Sequence, residues 1–285
     1  MVCIMKDGTK IRKTEDEEFI PSFAENVDVK ITSKCSIGCQ FCYENCHSLG
    51  SHGSLFDYPF IESLHPYTEM ALNGNDLDHP DLPKFLEFLK NKRVFANMTV
   101  HQKQFMDNYN LIKEWTETKL INGLGVSFNH SEDNFIERIK EFPNAVIHVI
   151  NGIITPSAID WLSNNDLKLL ILGYKELGRG IKFKKDWTSI IASNKAYLYS
   201  HLQELKDQFK VLSFDNLALE QLNVKRLLTP EEWEEFYMGD DGKFTFYIDM
   251  VEGKFAKNSL SRDRFDIGNL TIDEMFNIIK TNRNG

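Results

Sequence analysis

Strand-like and helix-like segments alternate along most of this 285-residue chain, and that rhythm constrains the fold more than any other feature. Short apolar runs rich in β-branched residues occupy 27–32, 68–72, 94–99, 124–128, 145–150, 167–172 and 211–214. Between them lie stretches of helical spacing. Phe85, Leu86 and Leu89 share one face of an expected helix over 81–90, and Phe105, Tyr109, Ile112 and Trp115 share a face over 104–118. Thr155-Pro156 is an N-cap followed by proline at the first helical position. A longer helical stretch spans 187–209. The run 169–172 is continuously apolar, as expected of a strand covered on both faces.

Repeated β–α units of this length imply parallel strands joined by right-handed crossovers. About six core units predict an α/β fold, a partial (β/α)6 TIM-like barrel over residues 27–228. An N-terminal hairpin and linker precede it over 1–26, with Asp7-Gly8 in the turn. A small α+β extension follows over 229–285. It opens on the capping-box signal Thr229-Pro230-Glu231-Glu232, carries a hairpin around Glu252-Gly253, and ends in a helix capped by Thr271. In such barrels chemistry gathers at the C-terminal ends of the strands.

Four of the five cysteines fall at that place, within 35–46, directly after the first core strand. Cys35, Cys39 and Cys42 have the spacing C-x3-C-x2-C. Three thiolates can hold three irons of a cubane [4Fe–4S] cluster and leave the fourth open to a ligand. Gly38 lets the loop wrap closely. A zinc site with Cys46 as fourth ligand is the alternative, although zinc sites usually join two separated pairs of ligands. Clustered cysteines in odd number fit metal binding or catalysis in a reducing, cytoplasmic setting better than disulfides. The first 13 residues show no signal-peptide core, and no apolar run approaches the ~20 residues a membrane span needs. A net charge of −9 argues against an extended nucleic-acid footprint. The basic group Lys182, Lys184 and Lys185 is read as a solvated loop.

The segment Cys35-Ser36-Ile37-Gly38-Cys39-Gln40-Phe41-Cys42-Tyr43 resembles the signature of the radical S-adenosylmethionine (radical SAM) superfamily. The resemblance implies a [4Fe–4S] cluster on Cys35, Cys39 and Cys42, with SAM on the open iron and Phe41 against its adenine. It implies reductive cleavage of SAM to a 5′-deoxyadenosyl radical that abstracts a substrate hydrogen, with electrons from a flavodoxin- or ferredoxin-like donor. It extends over most of 27–212. Gly74 and Asn75 stand where the family usually has a Gly-Gly-Glu segment that contacts the SAM amino group, the glutamate being replaced here. Ser127, at the end of the fourth strand, and Asn151, after the fifth, match further SAM-contacting positions, and Asn129 is a secondary candidate. Arg179 lies in the sixth-strand exit, where it can meet a carboxylate or simply sit in a loop.

The tail resembles the SPASM or twitch extension. It has no cysteine beyond Cys46, so a degenerate extension without an auxiliary cluster is expected. That likeness favours a peptide or protein substrate, with a small molecule or nucleoside as the other reading. A non-catalytic iron–sulfur or SAM-binding module stays open beside the enzyme, because the glutamate is missing. His101, Gln102, Asp215 and Gln221 follow strand ends and are expected near the barrel mouth.

Overall fold

The computed structural model describes residues 2–5, 10–73 and 76–282. Its strands are β1 (Val2–Ile4), β2 (Lys10–Arg12), β3 (Asn26–Lys30), β4 (Glu69–Asn73), β5 (Phe95–His101), β6 (Gly123–Ser127), β7 (Ala145–Ile150), β8 (Lys168–Leu172), β9 (Val211–Phe214), β10 (Thr245–Asp249), β11 (Lys254–Ala256) and β12 (Phe265–Asp266). Its helices are α1 (Leu82–Asn91), α2 (Gln102–Asp107), α3 (Tyr109–Glu117), α4 (Phe135–Lys140), α5 (Pro156–Leu162), α6 (Arg179–Asp186), α7 (Thr188–Leu205), α8 (Asn216–Gln221), α9 (Pro230–Phe236) and α10 (Ile272–Thr281).

Strands β3 to β9 pair in chain order and all in parallel. This is the α/β, partial-barrel architecture expected from the alternation. On the other side of β3 the tail strand β10 joins in parallel, with Asp249 beside Lys30, and β11 and β12 follow antiparallel. Among the described residues no backbone pairing joins β9 to β10, so the sheet does not close. The N-terminal hairpin forms, with Val2 opposite Arg12, while its expected turn at 6–9 lies outside the described residues.

The period of two along each strand separates two environments. Val27, Val29, Met70, Leu72, Met98, Val100, Val126, Ile147, Leu169 and Ile171 are almost wholly buried and pack in one core with the helices. Their alternates are half-buried and mostly polar: Asp28, Asn73, Asn97, Thr99, His101, Ser127 and His148. In β8 those alternates are Leu170 and Leu172, also only half-buried. The strand is thus covered fully on one face only, because its other face turns to the open interior of the sheet.

Helix α1 buries Leu82, Phe85, Leu86 and Leu89 at helical spacing. The helix expected over 104–118 is two helices. Asn108 breaks it, its backbone leaving helical geometry at φ −114°, ψ 25° while its side-chain amide joins its own N–H on the Gln104 carbonyl. The stretch expected at 187–209 begins earlier and breaks at Trp187 (φ −123°, ψ 27°). Thr155 caps α5 as expected. Thr229 and Thr271 close capping boxes with Glu232 and Glu274. Helix α10 buries Ile272, Met275, Phe276 and Ile279, and Phe276 stacks on Phe246 of β10 at 5.8 Å. Thr271→Ala should therefore cost about 1 kcal/mol of stability, read from the urea midpoint. No described helix is long and apolar enough to cross a membrane.

Candidate functional site

The cysteine loop follows the C-terminal end of β3 through residues 31–34, of which Thr32 and Lys34 bridge to His52 and His47. Its two ends are clipped together before and after the excursion. Ser33 N–H donates to Ser51 O, His47 N–H to Ser33 O and Cys35 N–H to His47 O, all within 3.0 Å. Residues 35–46 are thus displayed as a loop above the strand rather than packed into the core. Gly38 takes φ 72°, the left-handed conformation that a glycine accepts at least cost.

Cys35, Cys39 and Cys42 are each half-buried, while Cys46 is buried. Burial pushes the Cys39 thiol up to about 11, and the nearby Cys42 and Cys35 push in the same direction. The three sulfurs therefore share one neighbourhood. The Cys42 thiol is drawn down to about 6, chiefly by a hydrogen bond from Cys46, whose own thiol is pushed up by the same contact. Among the described residues no three ligating side chains converge on a point where one metal ion would sit. A cubane makes a different demand, since each thiolate binds its own iron. Three soft thiol donors on one half-buried loop suit the chemistry of such a cluster.

The loop is held from the other side of the sheet mouth by the exit of β8. Arg179 donates from Nε to Cys39 O at 3.0 Å and from Nη2 to Cys46 O at 2.9 Å. Its backbone N–H donates to Cys42 O at 3.0 Å. Gly178 (φ 51°) lies so close that a Cβ there would stand 2.5 Å from Tyr43 O. Arg179 is thus the clamp of the cysteine loop, a role its position in the chain did not reveal, because all three acceptors are backbone carbonyls about 140 residues upstream. Arg179→Ala should loosen the loop and lower its affinity for metal by about tenfold, the size expected when a partner that orients a metal-binding group is lost. Iron content after reconstitution at limiting iron would show it.

Beneath the loop, Asp249, Lys30 and Asn73 form one row across β10, β3 and β4. Lys30 Nζ lies 2.8 Å from Glu44 and 3.2 Å from Asp249. Burial works against the Lys30 ammonium, but the two carboxylates outweigh it and raise its pKa above the usual lysine range. A second buried network adjoins it. Lys175 Nζ sits 4.0 Å over the Tyr43 ring and donates to Ser259 Oγ at 3.0 Å. Burial raises the Asp28 carboxyl.

The other expected contact residues are distributed around the same mouth. The Phe41 ring meets Phe183 of α6 edge-on at 5.7 Å. Gly74 and Asn75 lie outside the described residues. Ser127 ends β6, with His101 beside it in β5 and His148 beside it in β7. Asn151 follows β7 and is fully buried. Its amide donates to Gln221 Oε1 at 3.0 Å, and its Oδ1 has no partner among the described residues. Asn129 is exposed and turned toward His130. His101 and Gln102 act locally in the structure. His101 Nδ1 caps α2, and Gln102, without exposed surface, brackets the loop after β6 through Asn129 N, His130 N and His130 O. Asp215 caps α8 and accepts from Gly173 N–H. Gln221 ties Asn151 to both backbone groups of Tyr174.

His148 stands in the interior of the sheet, and sequence reasoning did not single it out. Burial holds its imidazole down to about 4. An unfolded histidine takes its proton near pH 6.5, so below that pH the unfolded chain binds more protons than the folded one. Stability from this residue is complete above about pH 6.5 and is lost as pH falls toward 4. His148→Gln should reduce that acid loss by about 2–3 kcal/mol at the lower end. Urea midpoints at neutral and acidic pH would check it.

This arrangement defines an open α/β barrel that presents a three-thiol loop at the exit of an inner strand. No family model matches the chain, and no curated protein matches it. Among solved structures it is similar to SuiB of Streptococcus suis bound to S-adenosylmethionine. The TM-score is 0.58 at 14% identity, covering 93% of this chain and 69% of that one. A second SuiB crystal structure gives 0.56 at 15% identity, covering 92% and 69%. At these identities the likeness is one of fold.

Proposed function

We propose that this chain is a radical SAM enzyme, with a [4Fe–4S] cluster on Cys35, Cys39 and Cys42. The observation that carries the reading is the placement of C-x3-C-x2-C. The three thiols share one neighbourhood on a loop at the C-terminal end of an inner parallel strand. The fold shared with SuiB, which was crystallised with SAM, supports the same reading. When bound, the cluster would supply the electron that splits SAM into methionine and a 5′-deoxyadenosyl radical able to take a substrate hydrogen.

The chain's own residues would bind and orient. Arg179 holds the loop backbone, and Phe41 offers an aromatic face to adenine. Ser127 offers a hydroxyl at the mouth. Asn151 Oδ1 is a buried acceptor without a partner, the kind of group that gains most from a donor. A ribose hydroxyl would satisfy it once the Gln221 amide moved aside. Gly74 and Asn75 are assigned to the SAM amino group. A flavodoxin- or ferredoxin-like donor in the cytoplasm would supply electrons. The tail is assigned as a degenerate SPASM/twitch-like extension, which favours a peptide or protein substrate over a small molecule or nucleoside.

Anaerobic reconstitution with iron and sulfide, then dithionite and SAM, tests the proposal. Formation of 5′-deoxyadenosine is expected. A fully loaded cluster that leaves SAM intact under several reductants would favour the non-catalytic module, and zinc in place of iron would overturn the assignment.

A further inference from the structure

Helix α6 is nearly all surface. Gly180 is its one fully buried residue. The helix is held at its start, where the Arg179 side chain and backbone N–H bond the cysteine loop. Four of its eight residues are cationic and one, Asp186, is anionic, on a chain whose net charge is −9. The basic group read in the sequence as a solvated loop is thus a helix packed directly on the thiol-bearing loop. Lys184 pairs with Glu176. Lys182 and Lys185 are exposed and make no ion pair among the described residues. They stand three apart, on one helix face with the exposed Ile181.

Beside those cations lies an apolar edge. Leu177, Trp187 and Ile190 are exposed along with Ile181. Single exposed apolar side chains are ordinary, but four so close in the chain mark a binding surface. Trp187 also begins a run of rings that leads to the cysteine loop. It stacks on Phe183 at 5.9 Å, and Phe183 meets Phe41 at 5.7 Å. Phe41 directly precedes Cys42. A shorter link runs from Arg179 to the Cys39 carbonyl at 3.0 Å. The surface is therefore joined to the cysteines both by packed rings and by a hydrogen bond. A partner that gives up a hydrogen atom must touch the reacting centre, whereas one that gives an electron needs only to come close to the cysteines. Small, charge-guided surfaces with an aromatic anchor suit short-lived redox encounters.

We infer that the Lys182, Lys185 and Trp187 surface of α6 docks an acidic one-electron carrier protein, which reduces the cluster on the neighbouring cysteines. One electron passes at each encounter: the carrier is oxidised by one and the cluster is reduced by one. The electron-accepting end rests on the proposed reading of the cysteines, while the docking rests on the charge and exposure of the helix. Fluorescence anisotropy of dye-labelled flavodoxin, an acidic carrier, on the full chain without a cluster tests the docking. Binding should weaken about tenfold in Lys182→Glu with Lys185→Glu, because two attractive contacts become repulsive. The double variant Lys84→Glu with Lys140→Glu changes the net charge equally at exposed positions of α1 and α4, and should bind as the wild type does. Trp187→Leu should weaken binding about fivefold, as expected of an aromatic anchor. After reconstitution, 5′-deoxyadenosine formation driven by reduced flavodoxin should fall in the Lys182 and Lys185 variant, and formation driven by dithionite should not. Equal binding by the two charge-reversed proteins, or displacement of flavodoxin by hexaglutamate at equal concentration, would overturn the proposal. Docking that depends on Lys182 and Lys185 in a protein that never cleaves SAM would count against the cysteine reading and uphold the surface. SAM cleavage with dithionite, beside flavodoxin binding that ignores both lysines, would sink the surface alone.

Discussion

Cys35→Ala, Cys39→Ala and Cys42→Ala should each lose essentially all cluster iron, while Cys46→Ala should keep it. The expectation follows from the donor set. A cubane held by three thiolates has no spare protein ligand, so removing one leaves an iron without an anchor. Cys46 is buried on the inner side of the loop and meets the Cys42 thiol, which makes it the one candidate substitute. The four variants separate the assignments cleanly. Iron and sulfide content, with the visible absorption of the reconstituted protein, reads the result. If Cys46→Ala also empties the site, the ligand set is wrong. If one of the three alanine variants stays loaded, that cysteine is not a ligand.

Asp249→Ala should cost about 3–5 kcal/mol of stability, the usual price of stranding a buried charge. Asp249 is 1% exposed. One of its oxygens lies 3.2 Å from Lys30 Nζ and 3.5 Å from Arg264, and the other accepts from the backbone N–H groups of Val251 and Glu252, both at 3.0 Å. Alanine would leave the Lys30 ammonium with Glu44 alone and two turn N–H groups with nothing. The same lesion loosens β10 from β3 directly below the cysteine loop, so iron loading should fall as well. Urea unfolding of the unloaded chain measures the first effect. The double variant Asp249→Leu with Lys30→Met should recover a large part of the loss, because the uncompensated charge goes with its partner. A loss below about 1 kcal/mol in the single variant would show that the pair is not buried as described.

Much of the frame was legible because it depends on local pattern. The expected strand at 145–150 is β7 residue for residue, and the expected strand at 211–214 is β9. The caps at Thr155, Thr229 and Thr271 formed where hydroxyl and proline or glutamate spacing placed them. Where pattern failed, the apolar spacing did not mark where a helix broke or began. The apolar spacing over 104–118 carries straight through Asn108, where the backbone leaves the helical region at φ −114°, ψ 25° and splits the helix. Helix α4 escaped notice because only Phe135 and Ile139 mark its buried face, too short a signal for a period of 3.6.

The chain by itself determined the β–α alternation, the order and parallel sense of the strands, and the position of the thiols at a strand end. All three follow from spacing along the backbone. Tertiary structure alone decided that Arg179 grips the cysteine loop, that Asp249 answers Lys30, and that a groove opens beside the β9–β10 seam. Each of these joins residues many tens of positions apart. No local propensity encodes such a meeting; only the closing of the sheet brings the partners within reach of a hydrogen bond.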